Sequence, residues 1–361
     1  MLTTSKDQFQ KKTNFLFRNS PLHVPKLSSY KRGYIWGLLA GFAIWSLIGF
    51  SACKSTQSQQ ITPSFRYEKL AVKAHESELV CAHFSPNGQY IVTAGWDNKA
   101  KIFDLNGNLL SILEGHTDKV NWAMFMPDSK KVITASSDKT VRIWNLDGNQ
   151  WRKFQWHEQE VFVAAVSPDG AYLVTGSTDN TAKLIDLAAE EVLAVVQHQG
   201  IVRHATFSPD SRYFATSSWD KTATIWDLTG AEVTTLSGHK GSVNAVQFSP
   251  TGRYLATASW DGTGQLWDIS GKSIFTFEEH KKHLQFIQFS PSGQQLASTS
   301  GDRTVKLWNL NGEITQTLQG HNKGVLMVNF SPDGKSVLTA SEDGTFRVWE
   351  VTTAPVIHKM K

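Results

Sequence analysis

The histidines of this chain recur at a fixed interval, and this interval constrains the fold more than any other feature. From His75 to His321, seven histidines lie 41 residues apart, with no insertion or deletion between copies. One aspartate in each copy keeps the same spacing, from Asp97 to Asp343. A regular period of this length is typical of repeat proteins, in which each unit buries its apolar faces against its neighbours. The repeats therefore predict one domain, although 361 residues alone would suggest two.

Each copy has the pattern of short strands joined by tight turns. In the fifth copy, residues 242–248 alternate between apolar and polar, residues 249–252 form a turn, and residues 254–259 and 263–267 predict two further strands. A weaker fourth strand is indicated by an apolar column three residues before each histidine, which contains Val72, Leu113, Phe154, Val195, Leu236, Phe277 and Leu318. The pattern predicts an all-β fold in which seven four-stranded blades surround a central channel.

The fifth copy also carries the clearest motif, with Gly238-His239 at its start, Phe248-Ser249-Pro250 at the first turn and Trp267-Asp268 at its end. This pattern resembles the WD40 repeat, and the resemblance extends over about residues 65 to 351. Copies one and three depart from it because Phe103 and Ile185 replace the closing tryptophan. The resemblance implies a seven-bladed WD40 β-propeller at residues 65–361.

In WD40 proteins a hydrogen-bond relay in each blade joins the turn aspartate, the histidine, a hydroxyl and the closing indole. The column from Thr93 to Thr339 is the favoured source of the hydroxyl because it is filled in all seven copies, whereas the Ser136 to Ser341 column is broken by Gly95. Copies one and three should have shortened relays without an indole. A histidine, an aspartate and a hydroxyl could also form a catalytic triad, but a set that recurs seven times is expected of a scaffold. The expected complete relays are His116, Thr134, Asp138 and Trp144; His198, Thr216, Asp220 and Trp226; His239, Thr257, Asp261 and Trp267; His280, Ser298, Asp302 and Trp308; and His321, Thr339, Asp343 and Trp349.

The apolar column also predicts how the ring closes. Val72 continues the column before the first histidine, whereas the equivalent position after the last copy is Lys359. We therefore expect the segment near residues 65–72, and not the C-terminal tail, to supply the fourth strand of the last blade.

The resemblance further implies that partners bind the narrower, upper face at three positions per blade. These are three and five residues after the histidine, and the residue before the turn aspartate. The third position contains tryptophan in three blades, the second adds Phe162 and Arg203, and the first adds Lys119, Glu160, Ile201 and His283. Because Trp and Arg dominate interface hot spots, the predicted partner-binding residues are Trp96, Phe162, Arg203, Trp219 and Trp260. In the alternative interpretation, each tryptophan folds over its neighbouring blade as ordinary packing.

The N-terminal segment has a different composition. Residues 1–32 are polar, basic and without periodicity, which predicts disorder. Residues 33–53 form a run of 21 residues without a charge, long enough as a helix to cross a membrane of about 30 Å. Residues 54–64 are then a polar tether. The basic flank before the run predicts a cytoplasmic N-terminus and a propeller outside the cytoplasm. Alternatively, the sequence around Cys53 resembles a bacterial lipobox, and a lipid on Cys53 would anchor the chain. A propeller with such an anchor resembles bacterial members of the family.

Charge and motifs narrow the possible functions. Residues 1–53 contain seven basic residues and one acidic residue, while the remainder contains 29 basic and 31 acidic residues. A nearly neutral propeller offers no general footprint for nucleic acid. Two cysteines do not make a disulfide framework, and no phosphate loop, zinc spacing or nucleophile elbow is present, so neither a metal nor a cofactor is predicted. The predicted function is a membrane-tethered scaffold that binds other proteins. The alternative is a propeller enzyme or small-ligand sensor with a site in the central channel.

Overall fold

A computed structural model describes residues 59–61 and 67–352 of the chain. The predictions for residues 1–32, for the membrane segment at residues 33–53 and for a lipid on Cys53 lie outside these residues. Within the described residues, no helix is long and apolar enough to cross a membrane.

The described residues form 29 β-strands. The strands up to the end of the third blade are β1 (Gln59–Ile61), β2 (Glu68–Lys73), β3 (Leu79–Phe84), β4 (Tyr90–Gly95), β5 (Lys99–Asp104), β6 (Leu109–Glu114), β7 (Val120–Phe125), β8 (Lys131–Ser136), β9 (Val141–Asn145), β10 (Gln150–Phe154), β11 (Val161–Val166), β12 (Tyr172–Ser177), β13 (Thr181–Asp186) and β14 (Glu191–Gln197). The remaining strands are β15 (Val202–Phe207), β16 (Tyr213–Ser218), β17 (Thr222–Asp227), β18 (Glu232–Ser237), β19 (Val243–Phe248), β20 (Tyr254–Ser259), β21 (Gly264–Asp268), β22 (Ser273–Phe277), β23 (Leu284–Phe289), β24 (Gln295–Ser300), β25 (Thr304–Asn309), β26 (Ile314–Gln319), β27 (Val325–Phe330), β28 (Ser336–Ser341) and β29 (Thr345–Glu350).

These strands form seven antiparallel sheets, which are the blades of a propeller. Blades one to six are β3–β6, β7–β10, β11–β14, β15–β18, β19–β22 and β23–β26, each in sequential order. The first strands of neighbouring blades contact one another around the whole ring, from β3 to β27 and back to β3, so they surround the central channel. The second strand of every blade is buried along nearly its whole length because neighbouring blades cover both of its faces. The predicted all-β, seven-bladed propeller is confirmed.

The seventh blade closes the ring with a strand from the N-terminal side of the repeats. It contains β27, β28 and β29, and β2 pairs with β29 so that Val72 lies opposite Phe346. Val72 is fully buried, and an ion pair joins Glu68 to Arg347. The expected closure is therefore confirmed. β1 pairs with β2 as a fifth, outer strand, and it lies in the segment that the sequence analysis interprets as a tether.

The outer strand of blade three departs from the predicted apolar column. In blade four, Leu236 of the column pairs with Ala223 and is buried, but in blade three Val196 takes that place and Val195 is 57% exposed. The cause is the preceding turn, which is one residue longer and reaches positive φ at Glu190. Five other blades turn at a positive-φ glycine one position earlier, namely Gly107, Gly148, Gly230, Gly271 and Gly312. A one-residue slip moves every side chain of a strand to the opposite face, so the apolar column does not mark the buried position in this strand: Val195 faces solvent and Val196 is buried.

Candidate partner-binding site

The predicted relay residues of the fifth blade lie in one chain of hydrogen bonds. His239 Nδ1 donates to Asp261 Oδ2 at 3.0 Å, and the Thr257 hydroxyl lies 2.8 Å from His239 Nε2. The Trp267 indole donates to Thr257 Oγ1 at 2.9 Å. The hydroxyl thus comes from the threonine column. Each side-chain polar atom that takes part in this relay has a hydrogen-bond partner.

The same three bonds occur in four further blades, at 2.7–3.1 Å. They join His116, Thr134, Asp138 and Trp144; His198, Thr216, Asp220 and Trp226; His280, Ser298, Asp302 and Trp308; and His321, Thr339, Asp343 and Trp349. These histidines, hydroxyl residues and tryptophans are buried. Their place inside the blades suits a structural role.

The electrostatics of the relay fix its proton positions. Desolvation would raise the pKa of Asp261, but hydrogen bonds from Thr263 and the Lys240 amide, together with electrostatic attraction to His239, outweigh it and lower this pKa to about 2. Burial lowers the pKa of His239 against the attraction of Asp261. At neutral pH an ionised aspartate therefore faces a neutral histidine, which donates through Nδ1 and accepts at Nε2 from the threonine hydroxyl.

Blades one and three have shortened relays, as their sequences predict. His75 and His157 keep their bonds to Thr93 and Thr175 at 2.8 and 2.7 Å, but Phe103 and Ile185 offer no indole. Asp261 also accepts a bond from the Lys240 amide, immediately after the relay histidine, at 2.8 Å. Within the described residues, Asp97 and Asp179 have no equivalent bond, so these two turns are held by fewer bonds.

The upper face carries the residues that follow each relay histidine and the turns that precede each relay aspartate. On it, Trp219 of blade four and Trp260 of blade five are 37% and 49% exposed, and their ring centroids lie 5.5 Å apart. His283 of blade six continues the row, 5.6 Å from Trp260. Gly301 makes room for it, since a Cβ there would lie 2.7 Å from His283 Nε2. We call Trp219, Trp260 and His283 the aromatic ridge.

The predicted residues Phe162 and Arg203 form a second contact, at the mouth of the channel. The Arg203 guanidinium lies over the Phe162 ring, 4.7 Å from its centroid. Burial lowers the pKa of Arg203 to about 10, an effect that Cys81 partly offsets, and the side chain stays charged at neutral pH. Phe162 and Arg203 each occupy the second position of the first strand of their blade, β11 and β15, and these strands surround the channel. In the part of the chain that the structure describes, no carboxylate pairs with Arg203.

Trp96 lies apart from these four residues, in blade one. It is 38% exposed, and the Lys119 ammonium covers it at 4.2 Å from the ring centroid. The structure therefore divides the five predicted partner-binding residues. Trp219 and Trp260 touch each other, Phe162 and Arg203 touch each other, and Trp96 is in contact with a lysine of blade two.

Charge divides the upper face into two halves. We count the charged residues at the three positions after each relay histidine and at the two turn positions on either side of each relay aspartate. In blades four to six, the basic half, these positions hold five basic and no acidic residues, namely Lys221, Lys240, Lys281, Lys282 and Arg303. In blades one to three, the acidic half, they hold five acidic residues, Glu76, Glu78, Asp118, Glu158 and Glu160, beside Lys119 and Lys139.

The central channel is filled by side chains that the sequence analysis did not identify. Trp122 of blade two lies 5.2 Å from His204 of blade four, which lies 5.0 Å from Phe286 of blade six, as measured between ring centroids. Burial and the nearby charges of Arg203 and His83 lower the pKa of His204 to about 3, so its ring is neutral. The sequence contains a signal for these channel residues, because the position six residues after the relay histidine holds a ring only in blades two, four and six.

Below the rings of Trp122, His204 and Phe286, a cavity of about 280 Å³ opens toward the lower face. Its lining includes His83, Gln247 and Gln288. Among the described residues, no group of three or more His, Cys, Asp or Glu side chains could hold a metal ion. Cys81 is a buried free thiol whose pKa burial raises to about 12, and it donates to the Ala123 carbonyl.

Each of the seven repeats matches a known family profile. The family profile described as "WD domain, G-beta repeat" matches the chain at residues 67–104, 107–145, 148–186, 190–227, 230–268, 271–309 and 312–350. Each match covers three strands of one blade and the outer strand of the blade before it. No curated protein matches the chain significantly. Propellers of the matched family commonly serve as scaffolds for protein interactions and are generally not enzymes. Since the seven matches span most of its length, the chain belongs to the WD40 family.

Proposed function

We propose that this chain is a membrane-tethered scaffold that binds partner proteins through the upper face of its propeller. The observation that carries the proposal is the aromatic ridge, in which two large rings touch each other and still expose 37% and 49% of their surface. Trp and Arg contribute most to interface hot spots, and contiguous exposed apolar side chains are a feature of interaction sites.

The frame of the propeller does not require these tryptophans. Blades two, three and seven have the same turn position filled by Ser137, Thr178 and Glu342. The residues that repeat in every blade are buried in the relays, whereas the residues that differ between blades are displayed on the upper face. A scaffold needs its frame in every blade but its binding site only once, so the variable residues are the better candidates for recognition.

A site in the channel has weaker support. Trp122, His204 and Phe286 meet from three blades that are not neighbours, and they fill the channel at its middle. The cavity of about 280 Å³ that remains below them is smaller than most pockets for drug-sized ligands.

The membrane tether rests on the uncharged segment at residues 33–53 and on the basic residues before it. In this arrangement the N-terminus is cytoplasmic and the propeller lies on the other side of the membrane. Substitution of Cys53 by Ser separates the two possible anchors. A transmembrane helix would hold the variant in alkali-washed membranes as firmly as the wild type, whereas a lipid anchor on Cys53 would be lost.

The binding role is tested by affinity capture from native membranes with the full-length chain, followed by titration of the recovered partner. Trp219→Ala and Trp260→Ala should each weaken binding by more than about 1 kcal/mol, or about fivefold, because each removes a large ring from the contact. Their free energies of unfolding should stay close to the wild type, since both rings lie at the surface and neither takes part in a relay.

Trp96→Ala is the matched control. It removes a tryptophan of similar exposure from the same turn position, but in blade one and beneath Lys119. We expect this variant to bind the partner normally. If Trp219→Ala and Trp260→Ala bind normally, or lose stability and binding in proportion, the two tryptophans are structural and the upper-face site is wrong.

A further inference from the structure

We propose that the upper-face site recognises an acidic segment of a partner protein, with apolar or aromatic side chains on the aromatic ridge and carboxylates on the basic half and on Arg203. This inference rests on the proposed function and adds to it the chemistry of the partner.

The charge of the upper face favours an acidic partner. The basic half displays five positive charges and no free carboxylate at the compared positions, while the acidic half displays five carboxylates and two lysines. At physiological ionic strength, charges act over about 8 Å, so a bound segment senses the half on which it lies. An acidic segment is attracted to blades four to six and repelled from blades one to three, and this difference fixes its position.

A lysine also lies close along the backbone to each ring of the aromatic ridge. Lys221 belongs to the same turn as Trp219, and its amide donates to the Ser218 carbonyl at 3.3 Å. The Lys240 amide donates to Asp261, the residue after Trp260, at 2.8 Å. Lys282 directly precedes His283. An apolar side chain on the ridge would therefore place neighbouring carboxylates beside a lysine.

A groove of about 390 Å³ extends the basic half between blades six and seven. Lys281, Arg303 and Lys306 line it together with Glu279 and Asp302. The Asp302 carboxylate is already held by the His280 ring and the Lys281 amide. Three cations thus face a single carboxylate that the relay does not use, and the groove keeps a positive balance.

Arg203 offers a further contact for a carboxylate. Its guanidinium is partly buried over Phe162, and no carboxylate of the described residues pairs with it. Taking a charge out of water without a counter-ion is costly, and a carboxylate that arrives with the partner would offset that cost. The planar guanidinium can bind both oxygens of such a group, which makes Arg203 a specific contact at the channel mouth.

Exposed rings beside lysines are also found in proteins that bind single-stranded nucleic acid. The acidic half argues against that ligand. A strand longer than a few nucleotides would extend from blades four to six onto the carboxylates of the neighbouring blades, where its phosphates would be repelled. A short acidic segment of a protein fits within the basic half.

The test is selection of short random peptides, displayed on phage, against the full-length chain in mild detergent. We expect the selected peptides to be enriched in Asp, Glu and large apolar residues. The double substitution Lys240→Glu with Lys281→Glu should weaken their binding at least about tenfold, because it replaces two attractions with two repulsions. Arg203→Gln should weaken binding severalfold, and added salt should weaken the wild type.

The matched control is Glu76→Lys with Glu158→Lys, which reverses charge at the equivalent positions of blades one and three. This variant should bind the selected peptides as well as the wild type does. All four substituted residues are exposed, and a thermal melt checks that both variants are folded.

The outcomes separate this inference from the proposed function. If the selected peptides are neutral or basic and need Trp219 and Trp260 for binding, the proposal of an acidic partner segment is wrong and the upper-face site is supported. Peptides that depend on neither these tryptophans nor the lysines would overturn both. The proposal of an acidic partner segment is also wrong if no peptide is selected. It is equally wrong if an oligo-dT strand binds more tightly and displaces the acidic peptides.

Discussion

The two halves of the upper face share a frame and differ in what they display. Every blade of both halves has a histidine bonded to a turn aspartate and to a hydroxyl. The basic half adds two touching tryptophans and five cations, whereas the acidic half adds one tryptophan beneath a lysine and five carboxylates. The repeat motif specifies the scaffold, and the positions outside the motif specify the proposed site.

The halves also differ in how firmly the frame is bonded. Blades four, five and six all have complete relays, with the indoles of Trp226, Trp267 and Trp308. The relays of blades one and three end at Thr93 and Thr175, because Phe103 and Ile185 offer no indole, and blade three also has the shifted outer strand. The proposed site therefore lies on the better-bonded half, which suits a surface that must hold side chains in fixed positions.

The largest expected effect comes from breaking the blade that separates the two halves. Deletion of residues 65–72, with residues 1–64 kept, removes β2 from blade seven and exposes β29. Buried Val72 and the ion pair of Glu68 with Arg347 are lost. We expect the melting temperature to fall by about 10 °C or more, since each kcal/mol is worth about 2–4 °C in a domain of this size. An unchanged melting curve would mean that another segment closes the ring.

A smaller effect should distinguish a complete relay from a shortened one. Asp261→Ala should cost about 2–3 kcal/mol in free energy of unfolding, because it leaves His239, Thr263 and the Lys240 amide unpaired. Asp179→Ala in blade three should cost about 1 kcal/mol less, because Asp179 accepts no bond from the amide after His157 and its relay has no indole. Urea denaturation measures both, and equal losses would contradict the difference between the halves.

Acidification should also lower the free energy of unfolding, through buried relay histidines that occur in both halves. The pKa values of His75 and His157 in the acidic half and of His239 in the basic half are lowered by burial, against the pull of their aspartates. The unfolded chain takes up these protons near pH 6.5 and the folded chain does not, so the free energy of unfolding falls as the pH drops below 6.5. The lowered pKa of Asp261 adds a further loss below pH 3.8. Melting temperatures measured from neutral pH to about pH 4 should decrease by several degrees, and a flat or rising profile would contradict neutral relay histidines.

The sequence predicted the frame well because the repeat supplies seven copies of the same evidence. The position of Val72 in the apolar column was sufficient to place the closing strand, which β2 confirms. The threonine column was distinguished from the serine column by Gly95 alone, and Thr257 and its equivalents in the other four complete relays accept the indole bond.

The parts that the sequence did not predict depend on contacts between blades or on the length of a turn. Val196, and not Val195, occupies the buried position of β14 because the preceding turn has no glycine and is one residue longer. Trp122, His204 and Phe286 lie in different repeats, and only the closed ring brings them together. For the same reason the sequence could group Trp96 with Trp219 and Trp260, but it could not show that Lys119 covers the first while the other two touch.

The most direct test of the account is hydrogen–deuterium exchange of the full-length chain with and without its captured partner. We expect partner-dependent protection in the peptides that contain Trp219, Trp260 and His283, and unchanged exchange in those that contain Trp96, Glu76 and Glu158. Protection confined to blades one to three, or to the lower face around the turns that follow the first strands, would contradict a binding site on the basic half.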